Sequence, residues 1–222
     1  MNHIFDCEQG SSDCFAARAG IPTASEFKSI LAKGEGKMRR AYMLRLAGER
    51  LTGAPAETFE NGHMIRGREM EAEARELYAF AKDVEVRQVG FIRNQTAGCS
   101  PDALIGNSGM LEVKTKLPHI LIDCLLREEM PSEHRAQTQG ALWVAQREWL
   151  DFVAYWPGLP VFVQRQYRDD AYIAVLAAEI ERFNVDLAEI VERSRRYGEP
   201  PRERRRFQLD IVGRQQCARA VL

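Results

Sequence analysis

Cys99-Ser-Pro-Asp-Ala-Leu-Ile-Gly-Asn-Ser-Gly-Met-Leu-Glu-Val-Lys-Thr-Lys116 is the stretch on which the reading of this chain turns. Asp102 follows a proline, Gly106 and Gly109 bracket a turn, and Glu112-Val113-Lys114 falls in a short β-like run. Side chains alternate faces along a strand, so Glu112 and Lys114 share one face while Leu111 and Val113 take the other. Two carboxylates and a lysine converging at a strand end suit a divalent-metal site for phosphodiester hydrolysis. Carboxylates are hard oxygen ligands for Mg2+, which keeps part of its water shell. The ion makes hydroxide available near neutral pH and offsets charge on the pentavalent phosphate. Lys114 adds a point charge able to hold that hydroxide or the phosphate. Taken alone, P-D…E-x-K fits a hairpin with charged surface residues equally well, because short motifs have many false matches.

A chain of 222 residues suits one large domain or two small ones and can bury a substantial core. Its 45% apolar and 28% charged content is that of an ordinary soluble globular protein. The net charge of -1 supplies no global field toward nucleic acid, so a DNA surface has to be a local patch. The five cysteines (Cys7, Cys14, Cys99, Cys124, Cys217) are odd in number and form no C-x-x-C pair. That argues against a disulfide framework or a thiolate zinc site, and for a reducing compartment. No apolar run approaches the ~18 residues of a membrane helix, and Met1-Asn-His-Ile-Phe-Asp6 lacks the regions of a signal peptide. A cytoplasmic protein is expected.

Along the chain there is no internal repeat. Thr23-Ala-Ser-Glu26 has the capping-box pattern, with Phe27, Ile30 and Leu31 following at helical spacing. A second helix is expected from about Arg39 to Leu51, closed by Thr52-Gly53. A third covers roughly Gly62 to Ala81, with Met70, Ala74, Leu77 and Ala81 as its buried stripe. Strands are expected at Val84 to Arg93, just before Asp102, and at Met110 to Thr115. A helix near Ser132 to Gln146, strands at Leu150 to Tyr155 and Val161 to Tyr167, and a long amphipathic helix from Asp170 to about Arg196 complete the pattern. Helices, a mixed sheet and a closing helix imply an α/β sandwich with the metal motif on central strands. The basic run from Arg193 to Arg206 reads as a solvated helix end and tail, since no aromatic ladder interleaves its arginines.

Three further segments can complete such a site. Glu71 and Glu73 border the apolar stripe of the third helix on opposite sides, and periodicity does not choose between them. His134-Arg-Ala-Gln-Thr-Gln139 opens a helix where a glutamine can orient water or contact DNA. Arg18 and Ser25, with the free N–H groups of a helix start, can cradle a phosphate.

Five collinear segments then resemble the phage lambda exonuclease family, the YqaJ-type viral recombinases, to about residue 200. They are Glu8-Gln-Gly with Arg18-Ala-Gly-Ile-Pro-Thr-Ala-Ser-Glu26; Gly67-Arg-Glu-Met-Glu-Ala-Glu-Ala-Arg75; Cys99-Ser-Pro-Asp102 with Leu111-Glu-Val-Lys114; Ala136-Gln-Thr-Gln139 with Trp143-Val144; and Tyr155-Trp-Pro157. The resemblance places the family's active-site glutamate on Glu71 and its functional glutamine on Gln137. It departs at the connection from Ser25 to Gly53, which is shorter, at His134, which replaces a tyrosine, and after Glu199, where no counterpart exists.

The resemblance implies a restriction-endonuclease-like core, a central mixed β-sheet flanked by helices, in one nuclease domain over residues 1–200, followed by an unassigned basic tail over 201–222. It implies a processive 5′→3′ exonuclease that degrades one strand of linear duplex DNA to 5′-mononucleotides and leaves 3′ single strands. In that reading Asp102, Glu112 and the Val113 carbonyl hold Mg2+, with Asp102 bridging to a second ion and Mn2+ able to substitute. Lys114 positions the attacking water, Glu71 and Gln137 support the metal and water shell, Arg18 and Ser25 bind the 5′-phosphate, and Met64 is the strand-separating wedge. It further implies a homotrimer, a single-strand annealing recombinase as partner, and the cytoplasm of a bacterium carrying the phage or prophage. The alternatives are a structure-selective endonuclease on the same core, or a non-catalytic DNA clamp or annealing-protein loader.

Overall fold

The computed structural model describes residues 2–32, 36–56 and 62–199, without the side chains of 62–65 and 68. Its elements are β1 (His3–Phe5), α1 (Ser12–Arg18), α2 (Phe27–Leu31), α3 (Lys37–Thr52), α4 (Gly62–Lys82), β2 (Val86–Arg87), β3 (Phe91–Arg93), β4 (Gly98–Cys99), β5 (Ala103–Ile105), β6 (Gly109–Thr115), α5 (Pro118–Arg127), α6 (Arg135–Ala145), β7 (Trp149–Tyr155), β8 (Phe162–Tyr167) and α7 (Asp170–Arg195). The expected α/β architecture is present: a five-stranded sheet in the order β2-β5-β6-β7-β8 lies between helices, and β1-β3-β4 form a small second sheet.

The central sheet is mixed because β6 and β7 run parallel while every other neighbouring pair is antiparallel. A parallel pair needs a long crossover, and here that crossover carries α5 and α6. Alternation along β6 divides the molecule into layers. Leu111 and Val113 pack with Met70, Ala74 and Tyr78 of α4. Met110, on the other face, joins the larger core built with α2, α3, α6 and α7. Glu112 and Lys114 share the face of Met110, as their spacing requires.

Several expectations need correction. The strand expected over Val84 to Arg93 is two strands in different sheets, β2 on β5 and β3 on β1. The break falls at Gly90, where an added Cβ would lie 2.2 Å from the Cys7 carbonyl oxygen. Thr23 makes no side-chain cap; its N–H donates to the Tyr42 hydroxyl at 2.9 Å, and Ser29 donates to the Glu26 carboxylate at 3.0 Å. The third helix buries Tyr78 instead of Leu77 and Ala81. The stripe 70-74-78 keeps to one side of the helix, and the Tyr78 hydroxyl donates to buried Asp151 at 2.6 Å. Arg165 completes that pair with two bonds to the same carboxylate, at 2.8 and 2.9 Å. The cysteines are not all unpaired: Cys7 and Cys14, Cα atoms 5.5 Å apart, form a disulfide within the usual span, while Cys99 and Cys124 are free and buried. Met64 as a wedge, the tail from residue 201 and Cys217 lie outside what is described. No helix among the described residues is long and apolar enough to cross a membrane.

Close packing of α6 on α2 makes one test. A Cβ on Gly140 would fall 2.3 Å from a ring carbon of Phe27, which is fully buried. Gly→Ala inside an exposed helix gains about 1 kcal/mol. Gly140→Ala should instead lose about 1–3 kcal/mol through overpacking, measured as a lower urea midpoint with unchanged slope.

Candidate active site

Asp102 ends the segment leading into β5, and Glu112 and Lys114 sit near the end of β6, hydrogen-bonded neighbours in the sheet. The Asp102 carboxylate accepts the Val113 main-chain N–H, which fixes it against the strand bearing the second carboxylate. Glu112 accepts from the Lys114 ammonium at 2.6 Å and from the Gln137 side-chain N–H on α6. Glu71 on α4 reaches Asp102 from the opposite layer, close enough for its charge to raise the Asp102 carboxyl. Glu73, its rival in sequence, is exposed, and its charge acts on Tyr155 instead.

The two glutamines of α6 divide in the same way. Gln137 faces Glu112, whereas Gln139 is buried and ties α6 to the start of α7. Its amide donates to the Tyr167 carbonyl and accepts from the Asp169 N–H, both at 2.8 Å. His134, the departure from the resemblance, lies with its ring centroid 5.1 Å from that of Phe152. Burial, then the charges of Lys116 and Lys114, push its pKa down to about 4, so it is neutral at physiological pH.

Arg18, at the end of α1, opens with Ser25, Asp102, Glu112, Lys114 and Gln137 into one cavity of about 180 Å3. A single water needs only about 10–15 Å3 on this measure, so the space has room for a phosphate beside a hydrated ion. A second, larger groove of about 810 Å3 shares Arg18, Thr23, Ser25 and Ser100 with it and is lined further by Glu71 and Arg75. The helix-start cradle expected around Ser25 is only a short 3-10 turn, Ala24–Glu26. What remains at that point is the Ser25 hydroxyl, 3.3 Å from that of Thr23, and the Arg18 guanidinium. Among the described residues nothing pairs with that guanidinium. Thr23, Ser100 and Arg75 line the site without having been expected there from the sequence; only Arg75 carried a signal, four residues after Glu71 on the same helix.

Electrostatically the buried acids are out of balance. Asp102 and Glu112 are 8% and 3% exposed, with the less buried Glu71 beside Asp102, and Lys114 is the cation packed against them, while Arg18 opens into the same cavity. Burial, then the charge of Glu71, raises Asp102 to about 8. Burial and the charge of Asp102 raise Glu112 to about 7 against the lowering effect of Lys114. Lys114 is itself pushed up by Glu112 and Asp102, which outweigh its own burial. Excess buried negative charge is what a divalent cation would offset, and Asp102 and Glu112 could serve as its hard oxygen donors. Among the described residues no three His, Cys, Asp or Glu side chains form a ready-made metal cage. Donors beyond the carboxylates would be water and main chain, which suits Mg2+.

Residues 13–148 match the model of the YqaJ-like viral recombinase domain. The chain belongs to that family. This YqaJ-like chain is similar to an alkaline exonuclease, LHK-Exo from Laribacter hongkongensis, at 32% identity over 84% of this chain and 97% of that one, with a TM-score of 0.77. The crystal structure of LHK-Exo in complex with dAMP matches at 33% identity, with the same coverage and a TM-score of 0.79. A phage-related exonuclease from Haemophilus somnus 129PT, 12% identical over 78% of this chain and 96% of that one, shares the fold with a TM-score of 0.60. No curated protein sequence matches the chain. The first expectation, membership of this family, and the α/β fold that goes with it are thereby met.

The raised carboxylates set a pH dependence of stability with a definite sign. Below about pH 4 both are protonated folded or unfolded and cost nothing. Between there and about pH 8 the folded state holds protons the unfolded chain has released, so stability falls as pH rises. In EDTA, Asp102→Asn should therefore melt about 5 °C above wild type at pH 9 and level with it at pH 4. Scanning calorimetry at the two pH values checks this.

Proposed function

We propose that this YqaJ-like chain is a Mg2+-dependent 5′→3′ exonuclease that enters linear duplex DNA at an end, releases 5′-mononucleotides from one strand and leaves a 3′ single strand for recombination by annealing. The observation that carries the reading is the one cavity in which Arg18, unpaired among the described residues, and Ser25 face Asp102, Glu112, Lys114 and Gln137. Kinship with an alkaline exonuclease supports it, as does a relative that binds dAMP, a deoxynucleoside monophosphate of the kind an exonuclease releases.

Asp102, Glu112 and the Val113 carbonyl would hold the metal, with Asp102 shared by a second ion. When bound, Mg2+ lowers the pKa of its water and offsets charge on the phosphate. The Lys114 ammonium, kept charged by Glu112, holds the attacking water or a non-bridging oxygen. Gln137 fixes the Glu112 carboxylate through its N–H, and Glu71 braces Asp102. Arg18 forks two N–H donors onto the terminal 5′-phosphate, and Ser25 adds a neutral donor. Cleavage of the P–O3′ bond of the first nucleotide leaves the scissile phosphate on the next one. Each turnover thus recreates the group Arg18 binds, which supports processive action. A net charge of -1 gives little general attraction to DNA, so staying bound is assigned to enclosure in a ring of three chains, a small closed assembly of repeated interfaces. A single-strand annealing recombinase in the bacterial cytoplasm would take the product, and Mn2+ would replace Mg2+.

Lys114→Ala should keep Mg2+ binding by calorimetry while kcat falls about 100- to 1000-fold, the cost of removing a group that acts on transition-state charge. Near wild-type cleavage by that variant would reject the role given to Lys114.

Polarity is tested at Arg18. A charge-assisted hydrogen bond contributes about 1.5–3 kcal/mol, so Arg18→Ala should slow cleavage of 5′-phosphorylated ends about ten- to a hundredfold. Ends with a 5′-hydroxyl should react slowly with wild type and change little in the variant. Equal losses on both ends would make Arg18 structural. A covalently closed circle should stay intact throughout, whereas a structure-selective endonuclease would open it.

A further inference from the structure

The groove beside the cavity is lined by three arginines, Arg18, Arg45 and Arg75, and they are not equivalent. Arg18 has no partner among the described residues. Arg45 is spent on the Glu26 carboxylate at 3.3 Å and stacks over the Tyr42 ring at 4.9 Å. Arg75 is largely covered: its side chain is 14% exposed, and Nη1 lies 3.8 Å from the Glu71 carboxylate one turn back on α4. Its other partner is Gln88, just beyond β2. In the amide orientation that satisfies both of its ends, the Gln88 carbonyl accepts from both terminal nitrogens of Arg75, at 3.1 and 2.8 Å.

We infer that Arg75, held by Gln88, is a positioning residue that keeps Glu71 turned onto Asp102. Glu71 and Asp102 are both acids, and their charges repel. Without a cation behind it, the Glu71 carboxylate, midway along α4, would turn away from Asp102 into the open groove. Arg75 offsets that repulsion from one turn further along the helix, in the favourable order of acid before base. The pair is 30% exposed on the Glu71 side, so solvent screens it less than a surface pair. Gln88 is neutral and cannot compete for the charge; it fixes where the guanidinium stands. The line Gln88–Arg75–Glu71–Asp102 thereby runs from the edge strand β2 to the centre of the site. In this arrangement Arg75 does not meet the substrate, and its effect passes wholly through Glu71. The inference rests on Glu71 being part of the working site.

The test is a double-mutant cycle on linear, 5′-phosphorylated duplex, with duplex binding measured separately in EDTA. Arg75→Ala should lower kcat about tenfold, within the 10- to 100-fold range for partners of site ligands, with KM and EDTA binding unchanged. Arg75→Lys, which keeps the charge but cannot fork onto Gln88, should recover part of the loss. Gln88→Leu, which keeps Arg75 but frees it, should show a smaller loss of kcat than Arg75→Ala and guards against a variant that fails to fold. Arg75→Ala/Glu71→Gln should be no slower than Glu71→Gln alone. Additive losses, an unchanged kcat in Arg75→Ala, or a matching loss of duplex binding in EDTA would each overturn the inference, the last by making Arg75 a direct DNA contact. If Glu71→Gln itself retains wild-type kcat, the reading of the site has failed and this inference falls with it.

Discussion

Two carboxylates buried side by side within a sheet are the constraint around which this structure is arranged. Asp102 and Glu112 are almost wholly removed from solvent, and ionised carboxylates in such surroundings are costly unless paired and hydrogen-bonded. Each neighbouring element supplies part of the answer. The β6 backbone offers the Val113 N–H to Asp102. Lys114, two residues along the same face, offers a charge to Glu112. Helix α6 brings Gln137, and α4 brings Glu71, which adds a third acid instead of relieving the other two. The compensation is incomplete, and the residual cost falls on folding stability.

That bargain explains why the surrounding layers are so plainly apolar. The main core packs α2, α3, α6 and α7 on one face of the sheet, and α4 covers the other. Buried polar groups away from the cavity are satisfied more completely. Asp151 has Tyr78 and both nitrogens of Arg165, and Gln139 has a donor and an acceptor in main chain. The unbalanced polar cluster and Arg18, which has no partner among the described residues, coincide in one cavity, and such a site is where chemistry is to be sought.

Much of this was legible in the sequence where periodicity is long or the motif is dense. The spacing in β6 placed Glu112 and Lys114 together because alternation along a strand is rigid. The long helix at 170–195 and the αL glycine at 53 followed from apolar stripes and capping chemistry. What the sequence left undecided was rotational: Glu71 against Glu73 and Tyr78 against Leu77 are choices of helix face that depend on what lies opposite. Tyr78 is buried because Asp151, 73 residues away, wants its hydroxyl. The split of residues 84–93 between two sheets was illegible for a similar reason, since it depends on how closely the Cys7–Cys14 loop approaches Gly90. The resemblance pointed to Glu71 and Gln137, and the structure places both beside the two carboxylates, a choice local pattern alone did not make.

The hairpin between β5 and β6 has a further meaning for how this chain can change over time. Its two strands are joined through Gly106, in a left-handed conformation, and Gly109, whose missing side chain leaves room for the Trp149 ring. Because side chains alternate, losing or gaining one residue in that turn would exchange every inward and outward position of β6. Leu111 and Val113 would then confront Gln137, and the carboxylate and ammonium would be thrust among Met70, Ala74 and Tyr78. The segment can therefore drift in composition, but its length is frozen. Descendants of this chain should vary by replacement there and by insertion only elsewhere, at points where no strand has to keep count.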